Sequence, residues 1–194
     1  MKIKVIAEIG INHKGSDIRL KNIIDIAVKS KAWGIKFQYR EIKEFYAEKN
    51  EIGDEIISKE IEKSNIEFNT IIKYARYAKQ KGLKVGVSFF KSKDLKNKMN
   101  KITLFDFIKI PSPEFNNNDL ISLAKSTNKL IFISSGGNQG KDIIKKIKSF
   151  NKDKFVVFHC ISNYPTMTGF QQLSFIKKLK KINKLKIGYS SHDM

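Results

Sequence analysis

Residues 155–166, FVVFHCISNYPT, begin as a continuous apolar run and place His159, Cys160, Ser162 and Tyr164 where that run stops. Uninterrupted Val and Phe is the pattern of a strand buried on both faces in a parallel sheet. A histidine at its carboxyl end is either a buried, hydrogen-bonded residue or a ligand reaching into a site, and this stretch alone leaves both readings open. The same arrangement recurs along the chain. IKVIAEIGI (3–11), IKFQ (35–38), LKVGVSFF (83–90), FDFIKIPS (105–112), KLIFISSGG (129–137) and LKIGYSSH (185–192) are all apolar runs that end in polar residues.

Helical patterns separate them. Ser16 or Asp17 can cap a helix that lines up Leu20, Ile23, Ile24 and Ala27 on one face. Ser64 or Asn65 is expected to open another, carrying Phe68, Ile71, Ile72, Ala75 and Ala78 and stopped by Gly82. A short basic helix is expected over 94–100, and longer ones over 119–126, 141–150 and 170–181. Residues 39–63 form a charged excursion holding a helix.

Strands alternating with helices imply parallel βα units. No GxGxxG follows the first strand and no GxxxxGK[ST] occurs, which removes the support for dinucleotide-binding and P-loop sheets. The fold class expected is α/β, a TIM-type (β/α)8 barrel, as one domain over residues 1–194. Seven strands and 194 residues fall short of the roughly 200–250 of a complete barrel, so the barrel is expected to be truncated after the seventh strand.

Composition narrows the function classes. No apolar run approaches the roughly 18 residues of a membrane span, and the start, MKIKVIAEIG, enters a strand pattern without a cleavage site. A cytoplasmic chain without a membrane partner is expected. One cysteine excludes an intramolecular disulfide. The net charge of +19, from 38 Lys and Arg against 19 Asp and Glu, favours anionic partners. Its lysines are dispersed over helix faces, as in KKIKSFNKDK and KKLKKINKLK, with no recognition motif, which disfavours nucleic acid.

In a barrel the chemistry sits at the carboxyl ends of the strands. Glu8, Asn12 and His13 cluster at the first, Lys36 and Gln38 at the second, Ser88 at the third, and Lys109 and Ser112 at the fourth. Ser134 and Ser135 finish the fifth, His159 and Ser162 the sixth, Ser190 and His192 the seventh. A buried lysine is costly without an anion, and two strands carry one each, which points to an anionic ligand. The alternative is that Lys36 and Lys109 only pair with Glu8 and Glu114. Cys160 adjoins His159 but alternates to the other side of the strand and is expected to be packing.

The combination AEIGINHKGS, KFQ, FIKIPSPEFNN, ISSGG, HCISNYPT and GYSSH resembles the sialic acid synthase family, which comprises N-acetylneuraminate synthases and their legionaminic and pseudaminic acid relatives. The match runs from the first strand nearly to the last residue. The resemblance implies a (β/α)8 barrel, usually followed by a small antifreeze-like domain, which is expected to be absent here. It implies condensation of phosphoenolpyruvate with the aldehyde of an N-acetylated amino sugar (N-acetylmannosamine-like), yielding a nonulosonic acid and phosphate.

The resemblance also assigns residues. His159 and His192 match metal ligands, with Mn2+ or Mg2+ the expected ion, polarising the sugar aldehyde. Lys36, Lys109, Ser112 and Ser134 match positions that hold the phosphate and carboxylate, with Ser88 and Ser162 assisting. Glu8, Gln38 and Tyr164 match residues near the sugar, with Glu8 a candidate acid–base group. The full-length family implies a homodimer. Two departures stand out: VSFFKS where the family has Thr-Pro-Phe after the third-strand Ser or Thr, and Ser191 where it has the aspartate of Gly-x-Ser-Asp-His. The competing functions are an inactive or partner-dependent barrel fragment that only binds ligand, a related phosphoenolpyruvate-dependent keto-sugar-acid synthase, and a basic nucleic-acid binder.

Overall fold

Parallel neighbours cannot be joined by a tight turn, so each crossover must be long enough to hold a helix. The computed structural model describes residues 3–41, 55–182 and 184–193. It divides into two compact units, one formed by residues 1–89 with 97–106 and the other by 90–96 with 107–194.

In the first unit, β1 (Ile6–Ile9), β2 (Gly34–Tyr39) and β3 (Lys84–Phe89) pair in parallel and in chain order. The register sets Glu8 opposite Lys36 and Gln38 opposite Ser88. Helix α1 (Asp17–Lys29) starts as expected on Ser16, whose hydroxyl accepts from the Arg19 amide. It buries Leu20, Ile24 and Ala27 against the sheet layer. Helix α2 (Glu55–Lys63) falls within the charged excursion; residues 42–54 of that excursion lie outside the described residues.

Helix α3 (Phe68–Gln80) corrects one expectation. Ser64 and Asn65 do not open it; their amides close α2 by donating to the carbonyls of Glu60 and Glu62. The Ser64 hydroxyl is buried without a hydrogen-bond partner, and α3 starts behind Glu67 with no side-chain cap. The buried stripe is Phe68, Ile71, Tyr74, Ala75 and Ala78, while Ile72 turns partly outward. Gly82 ends the helix with φ +85°, the left-handed conformation that glycine adopts without a steric penalty. Phe68 is central to the core, with its ring 4.9 Å from Tyr39, 6.2 Å from Phe89 and 6.1 Å from Phe105.

In the second unit, β4 (Phe107–Ile110), β5 (Leu130–Ser134), β6 (Phe155–Cys160) and β7 (Lys186–Ser190) are parallel and again in chain order. The short helix α4 (Ser92–Asn97) stops earlier than expected, and the chain continues as a 3-10 segment over Met99–Leu104, which belongs to the first unit. Helices α5 (Asn118–Ser126), α6 (Gly140–Ile147) and α7 (Ser174–Lys180) fill the remaining crossovers. The Asn117 side chain caps α5 by accepting from the Leu120 amide at 2.9 Å. Helix α7 is shorter than its expected span of 170–181 because Phe170 and Leu173 are exposed and lie outside it.

Stacked rings fill this core: Phe107 on Phe132 at 4.2 Å, Phe132 near Phe158 at 5.3 Å, and Phe150 on Phe155 at 4.2 Å. Among the described residues no helix is long and apolar enough to cross a membrane.

Candidate functional site

The parallel register of the first unit brings Glu8, Lys36, Gln38 and Ser88 together. Lys36 is only 8% exposed, and its ammonium lies 2.7 Å from Glu8 Oε1 while donating to Ser88 Oγ at 2.8 Å. Gln38 Nε2 donates to the same Glu8 oxygen at 2.9 Å. Glu8 is thus held from two sides, yet its side chain is 48% exposed, so one carboxylate edge stays open to solvent. Ser88 is buried at the end of β3. The alternative pairing of Lys36 with Glu8 is therefore real, and Ser88 adds a neutral donor–acceptor beside it.

The loop after β1 is fixed by its own polar groups. Asn12 Nδ2 donates to the Glu8 carbonyl at 3.1 Å, and the Gly15 amide donates to His13 Nδ1 at 3.0 Å. His13 is buried, and burial pushes its pKa below the ordinary 6.5, opposed in part by a hydrogen bond to the Gly10 backbone. Its ring is accordingly a neutral structural element with Nδ1 as acceptor. Gly10 lies under the Glu8–Gln38 pair, where a Cβ would come 3.2 Å from Gln38 Nε2.

In the second unit Lys109 is also only 8% exposed. Its ammonium donates to Ser134 Oγ in a short contact and to the Ile110 carbonyl at 3.3 Å, and it sits 5.4 Å from the centroid of the Phe158 ring. Glu114 Oε2 is engaged by Asn117 Nδ2 at 2.7 Å. Ser112 Oγ accepts from the Gly136 amide at 3.1 Å. A Cβ on Gly136 would fall 2.5 Å from Ser162 Oγ, 2.9 Å from Ser112 Oγ and 3.2 Å from Cys160 Sγ. Three polar side-chain atoms thus crowd over a glycine, a space that admits no side chain. Cys160 is buried in this contact, as packing.

The two histidines are held differently. His159 is buried, its Nε2 lies 2.8 Å from the Gln171 carbonyl, and its ring packs against Tyr189 and edge-on to Phe175. A carbonyl can only accept, so Nε2 is the donor, and the tautomer with its lone pair on Nδ1 is the one this contact selects. A metal-binding imidazole is commonly oriented by such an N–H to carbonyl bond, so His159 fits that role. His192 is half-buried with its ring 4.1 Å from that of Tyr164, and its carbonyl accepts from the Thr166 amide at 2.8 Å. Among the described residues no group of three His, Cys, Asp or Glu gathers as a metal cage.

The serine that replaces the family aspartate has a distinct local role. Ser191 Oγ accepts from the Asp193 amide at 3.2 Å, while Asp193 accepts from the Tyr189 hydroxyl at 2.8 and 3.1 Å. Burial, together with the Asp193 carboxylate, pushes the Tyr189 hydroxyl up to about 12. The nearby carboxylate therefore serves Tyr189, the residue stacked on His159.

Sequence reasoning missed Gly136, Gln171 and Tyr189. The signal for the first was present, a double glycine directly after Ser134 and Ser135 at a strand end. The other two carry none, because one acts through its backbone carbonyl and the other through ring stacking.

Comparison with known proteins follows the same lines. The NeuB family profile matches residues 23–194. The N,N'-diacetyllegionaminic acid synthase of Campylobacter jejuni is 27% identical over 211 residues, covering 98% of this chain and 61% of that protein. The N-acetylneuraminate-9-phosphate synthase of Drosophila melanogaster is 27% identical over 202 residues, covering 99% and 54%. The crystal structure of the N-acetylneuraminic acid synthetase of Leptospira borgpetersenii in complex with citrate is 26% identical, with a TM-score of 0.86 over 100% of this chain and 66% of that one. The chain thus spans about half to two-thirds of the length of these relatives, and its fold is that of a TIM-type barrel through the seventh strand. Seven parallel-strand repeats, this superposition and a family match over most of the sequence place the chain in the NeuB family, with the sialic and legionaminic acid synthases.

Proposed function

We propose that this chain provides the barrel of a synthase that condenses phosphoenolpyruvate with the open-chain aldehyde of an N-acetylated amino sugar of the N-acetylmannosamine type. The observation that carries this reading is a pair of buried lysines near strand ends, each with its ammonium on a serine hydroxyl: Lys36 on Ser88 and Lys109 on Ser134. Cations that donate to serine hydroxyls, each hydroxyl keeping its own O–H to donate, suit a substrate that bears both a phosphate and a carboxylate.

In the proposed reaction, carbon 3 of the enol forms the new C–C bond to the aldehyde carbon, whose oxygen takes a proton and becomes a hydroxyl. Water adds at carbon 2, and phosphate leaves as the C–O bond there breaks. Lys36, Lys109, Ser112 and Ser134 hold the phosphate and carboxylate, and neutralise charge as it grows on the leaving group. Ser88 and Ser162 keep those contacts in place. Gln38 and Tyr164 meet the amino sugar. Glu8 positions the water and takes its proton, which its open carboxylate edge allows.

A divalent cation, Mn2+ or Mg2+, held by His159 and His192, would supply polarisation of the aldehyde. The reading implies a cytoplasmic enzyme, where phosphoenolpyruvate is made. Relatives of equal identity are named for different products, so the acceptor is left at the class of N-acetylated amino sugars, free or phosphorylated.

A second reading is a barrel that binds ligand and turns over only as a homodimer or with another subunit. The exposure of Tyr164 (73%), Met167, Phe170 and Leu173, on the loop whose Tyr164 ring packs on His192, favours it. The test is phosphate release from phosphoenolpyruvate with Mn2+ and each candidate sugar. Release that requires both metal and sugar supports the synthase. Binding of phosphoenolpyruvate without release, restored only at concentrations where the chain dimerises, supports the second reading.

A further inference from the structure

We propose that the first unit carries a second small-molecule site, for a compact phosphate-bearing metabolite, in a cavity between α3 and the 3-10 segment Met99–Leu104. The cavity is an open surface groove of about 420 Å3, lined by exposed polar side chains around the half-buried Ile72 and Leu104. It is separate from the strand-end cluster: Asp106, just past the 3-10 segment, exchanges hydrogen bonds with Val85 at the amino end of β3, whereas Ser88 lies near the opposite end of that strand.

The lining has a consistent chemistry. Asn69, Lys73 and Arg76 stand four and three residues apart on α3, one side of the helix, and Lys101 and Thr103 face them from the 3-10 segment. Ile72 and Leu104 supply an apolar portion, and no lining residue is acidic. The outward turn of Ile72, which departs from the buried stripe of α3, is explained by this cavity.

The walls are tied together independently of any ligand. Lys101 Nζ donates to Asn69 Oδ1 at 2.8 Å, and Lys79 Nζ donates to the Leu104 carbonyl at 3.0 Å, so the 3-10 segment is bonded to α3 at two points. Lys73 is held by Asp17 at 2.8 Å. Arg76 is different: its guanidinium has no hydrogen-bond or ion-pair partner among the described residues. A planar fork of donors beside a lysine, an amide and a hydroxyl matches the tetrahedral oxygens of a phosphate, and the Ile72–Leu104 edge suits the carbon skeleton attached to it.

The experiment is calorimetric titration at low salt of glucose 6-phosphate into the 194-residue chain, with glucose and inorganic phosphate as separate part-probes. The variants are Arg76→Gln, Thr103→Ala, Lys145→Gln on the exposed face of α6, and Lys36→Met, each checked for fold by near-ultraviolet circular dichroism. The expected result is saturable one-site binding that is weaker for either part-probe. Arg76→Gln should weaken it tenfold or more, Thr103→Ala several-fold, and the other two variants less than twofold. Equal weakening by Lys145→Gln would mean diffuse attraction to a basic surface, and loss in Lys36→Met would mean that the probe sits in the strand-end cluster. Either outcome, or no saturable binding, overturns the proposal while leaving the proposed synthase reaction untouched.

Discussion

The strand ends of the two units solve the same problem with different partners. In the first unit the buried lysine is balanced by a carboxylate: Lys36 meets Glu8 at 2.7 Å, and Gln38 braces that carboxylate from the other side. In the second unit Lys109 is oriented by a serine hydroxyl, a backbone carbonyl and the face of Phe158. An ammonium that already faces a carboxylate gains less from an arriving anion, because the carboxylate also repels that anion. The difference teaches that the two lysines are not interchangeable, although both read as buried cations in the sequence. Because Lys36 already faces Glu8, that pair is suited to holding a reactive carboxylate in place, and the larger share of anion binding is expected of Lys109.

The largest expected effect follows from that division. Glu8→Gln keeps the bond with Gln38 but removes the base, so kcat should fall by about 10^2–10^4 while the affinity for phosphoenolpyruvate is kept or improved. A parallel loss of affinity in steady-state kinetics would break the division of roles. Lys109→Met should lower phosphate release about 10^2–10^3-fold, with the change in the phosphoenolpyruvate term, and Lys36→Met should cost less in that term. Equal losses from the two lysine variants would show that the contrast between the units has no functional meaning.

Smaller effects probe the glycines beneath each cluster. Gly136→Ala drives a Cβ to 2.5 Å from Ser162 Oγ and 2.9 Å from Ser112 Oγ, and should cost about 1–3 kcal/mol of stability together with phosphoenolpyruvate affinity. Gly10→Ala meets only the end of the Gln38 side chain, at 3.2 Å, and should cost less. Denaturant titration of both variants alongside binding checks the order.

The smallest effect is a pH dependence confined to the first unit. The pKa of His13 is lowered by burial, so the unfolded chain takes up its proton first as pH falls. Its contribution is therefore flat above the ordinary value of 6.5 and declines as pH drops through 6.5 toward the lowered value. Thermal melts at pH 7.5 and 5.5 should show a drop that His13→Gln reduces; an identical drop in that variant would remove His13 as the cause.

Much of this was legible in the sequence, for identifiable reasons. Each parallel strand is a largely apolar run, so all seven showed themselves, and Ser16 and Gly82 marked helix ends through local chemistry that acts within one turn. Ser64 and Asn65 misled because a cap-forming residue type is as compatible with closing one helix as with opening the next. Tyr74 was missed as a core residue and Ile72 overrated because helical spacing fixes the buried side only to within about one residue, and the cavity beside α3 decides it.

At the site, residue types at strand ends were readable, but partners were not. Glu8 meets Lys36 through parallel register, and Gln171 meets His159, 12 positions earlier, through the path of a loop, which no periodicity encodes.

The most direct test of the central claim, that the buried lysines near the strand ends bind the anionic donor, is calorimetric titration of phosphoenolpyruvate in Mn2+ into the wild-type chain and Lys109→Met. The account predicts single-site binding that Lys109→Met weakens at least tenfold without loss of fold, in keeping with a lost charge-assisted hydrogen bond. Unchanged affinity in Lys109→Met, or no binding to a folded wild-type sample, would contradict it.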